Sequence, residues 1–358
     1  MRLAPSAEQR RFADVLHQML TGADLPGVSA AWANGDVGPG RRLWTALADA
    51  GVTGLLVPER WGGLGAGPDD LVIACEELGH HAVPGPIAES IAAVPVLLAG
   101  RPATAGTEPD AMADKWLPEL VAGRAVASMA APPWLPLAAD GDAADLILLV
   151  TGDEVRTGQP GRIHRSMDPA RRLAEVLPGG VLTTGPPMPH AINLGVLACA
   201  AQLLGAGRAL LETAVGYAKT RTQFGRPIGS FQAVRHQLAD VAVAIEFARP
   251  LLYAAAVALA GTGTATAGRD VSAAKVACGE AAVLAARVAL QVHGAVGYTR
   301  EHGLGRWLTR VRVLHAAWGT PARHRERILA ELAGEMAGDR RTPPEGRGTA
   351  ASRQDVAG

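Results

Sequence analysis

Residues 191–333 read as helix almost without a break, in long stretches rich in Ala and Leu that pause at 223–229, at Gly261-Thr-Gly263 and at His293-Gly294. Ala and Leu enter helices at little cost, yet helices become stable in water chiefly by covering an apolar face. Four or five such helices in succession have to cover one another, and a helical bundle is the expected result.

The segments before it have a different texture. From Ala7 to about Ala99 apolar residues recur at three- and four-residue spacings, as in Leu43 and Leu47 and in Leu71, Val72, Cys75 and Leu78, which predicts a helical unit. Within it, the closely spaced glycines between Gly51 and Gly67, together with Pro58, break helices and permit positive φ, so a tight structured loop is expected there. From residue 116 to 189 short β-type runs at 145–150, around Val155 and at 173–177 are separated by Gly, Pro and Asp. After Gly334 apolar residues become too sparse to offset the entropy of ordering, and a disordered tail is expected. The reading is therefore mainly α with a small central β-domain: an N-terminal α-helical domain at 1–115, a short middle β-domain at 116–189, a C-terminal helical bundle at 190–333 and a tail at 334–358. No βαβ alternation is present, which argues against a Rossmann-type sheet.

Lys plus Arg and Asp plus Glu each total 34, so the formal net charge is zero and no basic tail suggests nucleic acid. The polar opening from Met1 to Arg11 lacks the apolar core of a secretory signal, and a cytoplasmic location is expected. Residues 191–207 carry Asn193 and Gln202 and fall short of the roughly 20 apolar residues that span a bilayer, so they read as a buried bundle helix and no membrane span is expected. Cys75, Cys199 and Cys278 lie far apart with no C-x-x-C or Cys/His metal spacing; buried reduced thiols and no metal site are expected.

Two segments carry chemistry. Arg221-Thr-Gln-Phe-Gly-Arg-Pro-Ile-Gly229 joins two long helices: Arg221 offers a guanidinium fork suited to a pyrophosphate, Gly225 and Gly229 allow close backbone approach, and Phe224 adds an apolar face. On residue types alone a plain helix-turn-helix is the better reading. Gln291-Val-His-Gly-Ala-Val-Gly-Tyr298 ends another long helix, with Gln291 and His293 as donors; alone it could be a helix C-cap.

Taken together and at this spacing, the two segments resemble the R-x-x-F-G and Q-x-x-G-G-x-G-Y signatures of the acyl-CoA dehydrogenase family. Leu43-Trp44, Gly51, Val57-Pro58-Glu59, Gly62-Gly63-Leu64-Gly65 and Glu76-Glu77-Leu78-Gly79 resemble its N-terminal domain, and residues 166–174 the end of its middle domain. The resemblance spans roughly residues 7–333. It implies the family's fold, a helical domain, a β-domain that is reduced here and a C-terminal four-helix bundle, assembled as dimers of dimers. It further implies FAD at a subunit boundary, an acyl-CoA thioester as substrate, and electron-transfer flavoprotein as an acceptor. By the same resemblance Arg221, Phe224, Gly225, Gln291, Gly294 and Thr320 bind the cofactor, reaching toward a neighbour's FAD.

The sequence departs from the pattern where the chemistry is done. The family's α-proton is taken by a carboxylate, normally a Glu just before a Gly-Thr pair; here the pair is Gly319-Thr320 and the residue before it is Trp318, whose indole can only donate. The alternative family position falls at Gln202, also no base. His315 and His293 can accept a proton but occupy neither position. The family's T-E-P-x-A-G-S-D stretch has no counterpart near Ser128 to Pro136. The leading expectation is a base-lacking subunit that completes a homologous partner's FAD site in a tetramer. The alternatives are a self-sufficient homo-oligomeric flavin oxidoreductase with a non-standard base, and a non-catalytic acyl-CoA-binding scaffold.

Overall fold

The computed structural model describes residues 4–100, 111–185, 187–261, 266–299 and 303–339. The tail expected from 334 begins inside a helix that runs to Asp339, and its remainder lies outside the described residues.

Among the described residues six α-helices come first: α1 (Ala7–Thr21), α2 (Leu25–Ala33), α3 (Gly38–Asp49), α4 (Pro68–His80), α5 (Val94–Ala99) and α6 (Ala111–Val121). Their starts are written locally. Gln9 N–H donates to Ser6 Oγ at 3.1 Å while Ser6 N–H donates to Gln9 Oε1 at 3.0 Å, a reciprocal cap on α1. The glycine-rich loop between α3 and α4 forms two 3₁₀ turns, Val52–Gly54 and Glu59–Trp61, with Gly51 and Gly62 left-handed at φ 81° and 83°. Helix α6 runs through the boundary placed at residue 115, and Thr53 Oγ1 donates to Val121 O at 2.7 Å, which ties its end to that loop.

The middle unit is one five-stranded sheet: β1 (Ala127–Ala130), β2 (Ala138–Ala139), β3 (Leu146–Thr151), β4 (Glu154–His164) and β5 (Leu173–Thr184), in the order β1-β3-β4-β5-β2. The β1–β3 pair is parallel and the other pairs are antiparallel. The apolar run of β3 is buried, as a strand flanked on both sides should be.

The bundle consists of α7 (Met188–Thr220), α8 (Gln232–Ala260), α9 (Ala267–His293), α10 (Gly305–Ala316) and α11 (Pro321–Asp339). Residues 191–207 of α7 are buried without interruption, as expected of a bundle helix. Small residues let α4 and α7 meet backbone to backbone. A Cβ on Gly205 would sit 1.9 Å from Glu76 O, and one on Gly79 would sit 2.1 Å from Gln202 O. Helix α8 differs: Val243, Phe247 and Leu251 are exposed, Phe247 by 74%.

Candidate functional site

The 221–229 segment is a two-residue hairpin. β6 (Thr222–Gln223) pairs with β7 (Arg226–Pro227), and Phe224 and Gly225 occupy the turn at φ 52° and 77°. Positive φ at both central residues is the type I′ signature that matches strand twist. Gly225 takes this freely, whereas a bulky Phe in the left-handed region is strained. Phe224 is also 92% exposed, touching Phe231 edge-on at 6.1 Å. Arg226, also exposed, lies over the Phe231 ring at 4.2 Å, and Arg221 is exposed at the end of α7. Gly229 serves packing: a Cβ there would meet Ala218 O at 2.9 Å.

The end of α9 comes to the same end of the bundle. The His293 ring stacks on Tyr217 of α7 at 4.3 Å and 25°, and its Nδ1 lies 2.7 Å from Ala289 O, so His293 is engaged in structure. Gln291, two residues earlier, is exposed. Gly294 has φ 60° and ψ −141°, a region open in practice to glycine alone, and no atom lies within 4 Å of its would-be Cβ. The result is a patch of exposed donors and accessible backbone formed by Arg221, Phe224, Gly225, Gln291 and Gly294.

Trp318 and Thr320 lie elsewhere. They belong to the turn between α10 and α11, which is clamped to the start of α9: His324 Nε2–H donates to Trp318 O at 3.0 Å, and its Nδ1 accepts from Ser272 Oγ–H at 3.1 Å. Ser272 and Gln291 are nineteen residues apart on one helix, about 28 Å at 1.5 Å per residue. Thr320 therefore does not join the Arg221 patch; its Oγ1 accepts from Arg323 N–H at 3.3 Å and caps α11.

The Trp318 indole is 1% exposed and lies against Gly195 of α7. Beside it is a cavity of about 380 Å³ lined by Trp134, Leu135, Leu137, Met167, Arg171 and Trp318, among others. Gln202 is 3% exposed, its amide bonded to Ala198 O at 3.3 Å and its backbone covered by Gly79. His315 packs on Gly279, and burial pushes its imidazole down. Neither Gln202, His293 nor His315 lines this cavity.

One carboxylate escaped sequence reasoning. Glu89, 2% exposed in the π-turn Glu89–Ala93, lies 3.7 Å from Arg171. Burial pushes its carboxyl up, against the opposing pull of Arg171, its own backbone and the Trp318 indole. A lone Glu in an apolar run carries no spacing signal. It too does not line the cavity.

Comparison with known proteins gives a consistent picture. Residues 6–124 match the acyl-CoA dehydrogenase N-terminal domain and residues 188–333 the acyl-CoA dehydrogenase C-terminal domain. Acyl-CoA dehydrogenase IpdE2 of Mycolicibacterium smegmatis is 32% identical over 304 residues, covering 83% of this chain and 90% of its own length. Its namesake from Mycobacterium tuberculosis is 33% identical over 307 residues, covering 84% and 90%. Among solved structures, butyryl-CoA dehydrogenase of Megasphaera elsdenii has a TM-score of 0.76 at 22% identity, covering 94% of this chain and all of that one.

Proposed function

Because this chain belongs to the acyl-CoA dehydrogenase family, we propose that it serves FAD-linked α,β-desaturation of an acyl-CoA thioester as a subunit that lacks its own base and completes a homologous partner's flavin site. The observation that carries this reading is Trp318, a donor-only side chain buried against Gly195 at the position where the family keeps its proton acceptor.

FAD, when bound, supplies the hydride acceptor for the β-carbon. Its two ends make different demands, and the two regions of this chain meet them unequally. A pyrophosphate asks for a guanidinium and close backbone approach, which Arg221 and Gly294 supply at an exposed surface. An isoalloxazine asks for donors along its polar edge, and the segment from Ala131 to Leu137 that would face it here is apolar and built around Trp134. The patch suits a neighbour's cofactor better than the cavity suits the chain's own.

The exposed apolar residues support a partner. Phe224, strained and 92% exposed, and Phe247 of α8 leave large rings in water, a costly arrangement unless another chain covers them. Electrons would leave the assembly through an electron-transfer flavoprotein.

A second reading, a self-sufficient homo-oligomer, rests on Glu89, whose carboxyl is kept more protonated than usual by burial beside Trp318. One preparation decides between them. The chain is purified alone and with a family member that carries the usual glutamate, and flavin absorbance and oligomer mass are measured for each. Flavin retained only in a mixed tetramer is expected; a yellow homotetramer that oxidises acyl-CoA and loses that activity on Glu89→Gln overturns the paired reading.

A further inference from the structure

Independently of the flavin site, three imidazoles and a carboxylate converge where α1, the end of α4 and α7 meet. One donor atom from each of His17, Glu77, His80 and His81 lies within 4.8 Å of the other three. Their rings approach centroid to centroid at 5.1, 4.8 and 4.8 Å. Spacing along the chain could not reveal this, because His17 stands sixty residues from Glu77.

We propose that this cluster is a binding site for a divalent transition ion, best matched by Zn²⁺, with His17, Glu77, His80 and His81 as ligands.

The first argument is the contact between acceptors. His17 Nδ1 lies 3.0 Å from Glu77 Oε2 and 3.2 Å from His81 Nε2. Nδ1 carries at most one hydrogen and has one lone-pair direction, so it can make one good hydrogen bond to these two neighbours and not two. A cation accepts lone pairs from all of them at once. Ligand atoms around a tetrahedral zinc, each at about 2.0–2.1 Å, stand about 3.4 Å apart; the two His17 Nδ1 contacts are close to that, and every pair in the set lies within 4.8 Å, so closure onto an ion needs only side-chain adjustment.

His80 supplies the second argument. Its Nε2 lies 2.8 Å from Glu212 Oε2, and its Nδ1 is buried with no hydrogen-bond partner. A metal-bound histidine characteristically has its other nitrogen held by a carboxylate, which fixes the ring and strengthens it as a ligand. Glu212 is placed to play that part, leaving Nδ1 as the donor.

The surrounding charge agrees. Glu76, Glu77 and Glu212 face Arg208, which is bonded to Glu76 at 2.9 Å and Glu77 at 2.6 Å, and Arg249 adds a 2.8 Å bond to Glu76. With Glu246 also 3.7 Å from Arg249, carboxylates outnumber guanidiniums around the imidazoles, which favours a cation. A nitrogen-rich set with one oxygen suits zinc and its neighbours in the first transition row better than calcium or magnesium. Since His17 belongs to α1 and the others to α4 and its end, a bound ion would staple the first helix to the core.

The test uses tag-free full-length protein, because an affinity tag of histidines would bind the same ion. The chain is loaded with zinc, dialysed against metal-free buffer and assayed for metal per chain, alongside His17→Ala and His81→Ala. His17 is half-exposed, so its replacement leaves the packing intact. About one zinc retained per parent chain, lost in both variants, with a zinc-dependent rise in melting temperature only in the parent, is the expected result. A parent that retains no zinc, or variants that retain as much as the parent, overturns the site.

Discussion

The Trp318 indole lies directly over the Cα of Gly195: a Cβ at residue 195 would fall 2.2 Å from the ring's Cζ3. That contact explains how a residue this large is accommodated between α7 and α10, and it predicts a specific cost. In Gly195→Ala the obstacle is the tip of a side chain that borders a cavity of about 380 Å³, so the indole can yield into space. Overpacking of this kind costs about 1–3 kcal/mol, and alanine returns up to about 1 kcal/mol of helix propensity. The net loss expected from urea unfolding is about 1 kcal/mol; a variant as stable as the parent would show that the indole does not bear on α7.

Gly205→Ala should be worse, although the sequence change is the same. Its Cβ would meet Glu76 O at 1.9 Å and His80 N at 2.7 Å, both backbone atoms of α4 that no rotamer change can move. Two helices must separate, and with them the Glu76 contacts to Arg208 and Arg249. A loss of about 3 kcal/mol or more is expected, at the upper end of overpacking costs. Equal losses at Gly195 and Gly205 would contradict the distinction between a yielding ring and a fixed backbone.

Which of these features could be read before folding follows from how far apart the interacting residues lie. The break at 223–229 was legible because Gly225, Pro227 and Gly229 act on their own backbone, and β3 because an unbroken apolar run between Asp145 and Thr151 has few other uses. The pairing of Trp318 with Gly195 was not legible: the two stand more than a hundred residues apart, and neither changes its local periodicity. The same applies to Thr320. Its place in a motif suggested company with Gln291, but the length of α9 sets them at opposite ends, a consequence of helix geometry acting on two well-identified segments. Glu89 and the histidine cluster were hidden for a related reason, since a buried titratable group announces itself through its surroundings.

Asp140 makes a pH dependence predictable. Its carboxylate is fully buried, Oδ1 accepts from Arg172 N–H at 2.9 Å, and burial, only partly opposed by Arg171 and Arg172, pushes its pKa from 3.8 to about 6. Between those values the folded chain holds a proton that the unfolded chain has lost, so stability falls as pH rises through this window and the loss is complete above about pH 6. At 1.36 kcal/mol per unit the full effect is on the order of 3 kcal/mol. Asp140→Asn keeps the acceptor and tolerates the residue's φ of 48°, but cannot titrate. Its unfolding free energy should change less than the parent's between about pH 4 and pH 6.5; parallel pH profiles would remove Asp140 as the cause.

Arg221 separates a binding role from a structural one. It is exposed at the end of α7, and its backbone N–H, which donates to Tyr217 O at 2.9 Å, is untouched by a change of side chain. Arg221→Ala should therefore alter the melting temperature little, since surface substitutions of this kind usually stay within about 0.5 kcal/mol. If the guanidinium meets a partner's FAD pyrophosphate, its loss removes a charge-assisted hydrogen bond of about 1.5–3 kcal/mol, roughly a ten- to hundredfold weakening of cofactor affinity. Arg221→Lys should fall between, because an ammonium keeps the charge but not the fork. The measurement is flavin retained per mixed tetramer after gel filtration. Tetramers that form normally but emerge pale with Arg221→Ala are the expected outcome, and full retention in both variants would take Arg221 out of the cofactor site.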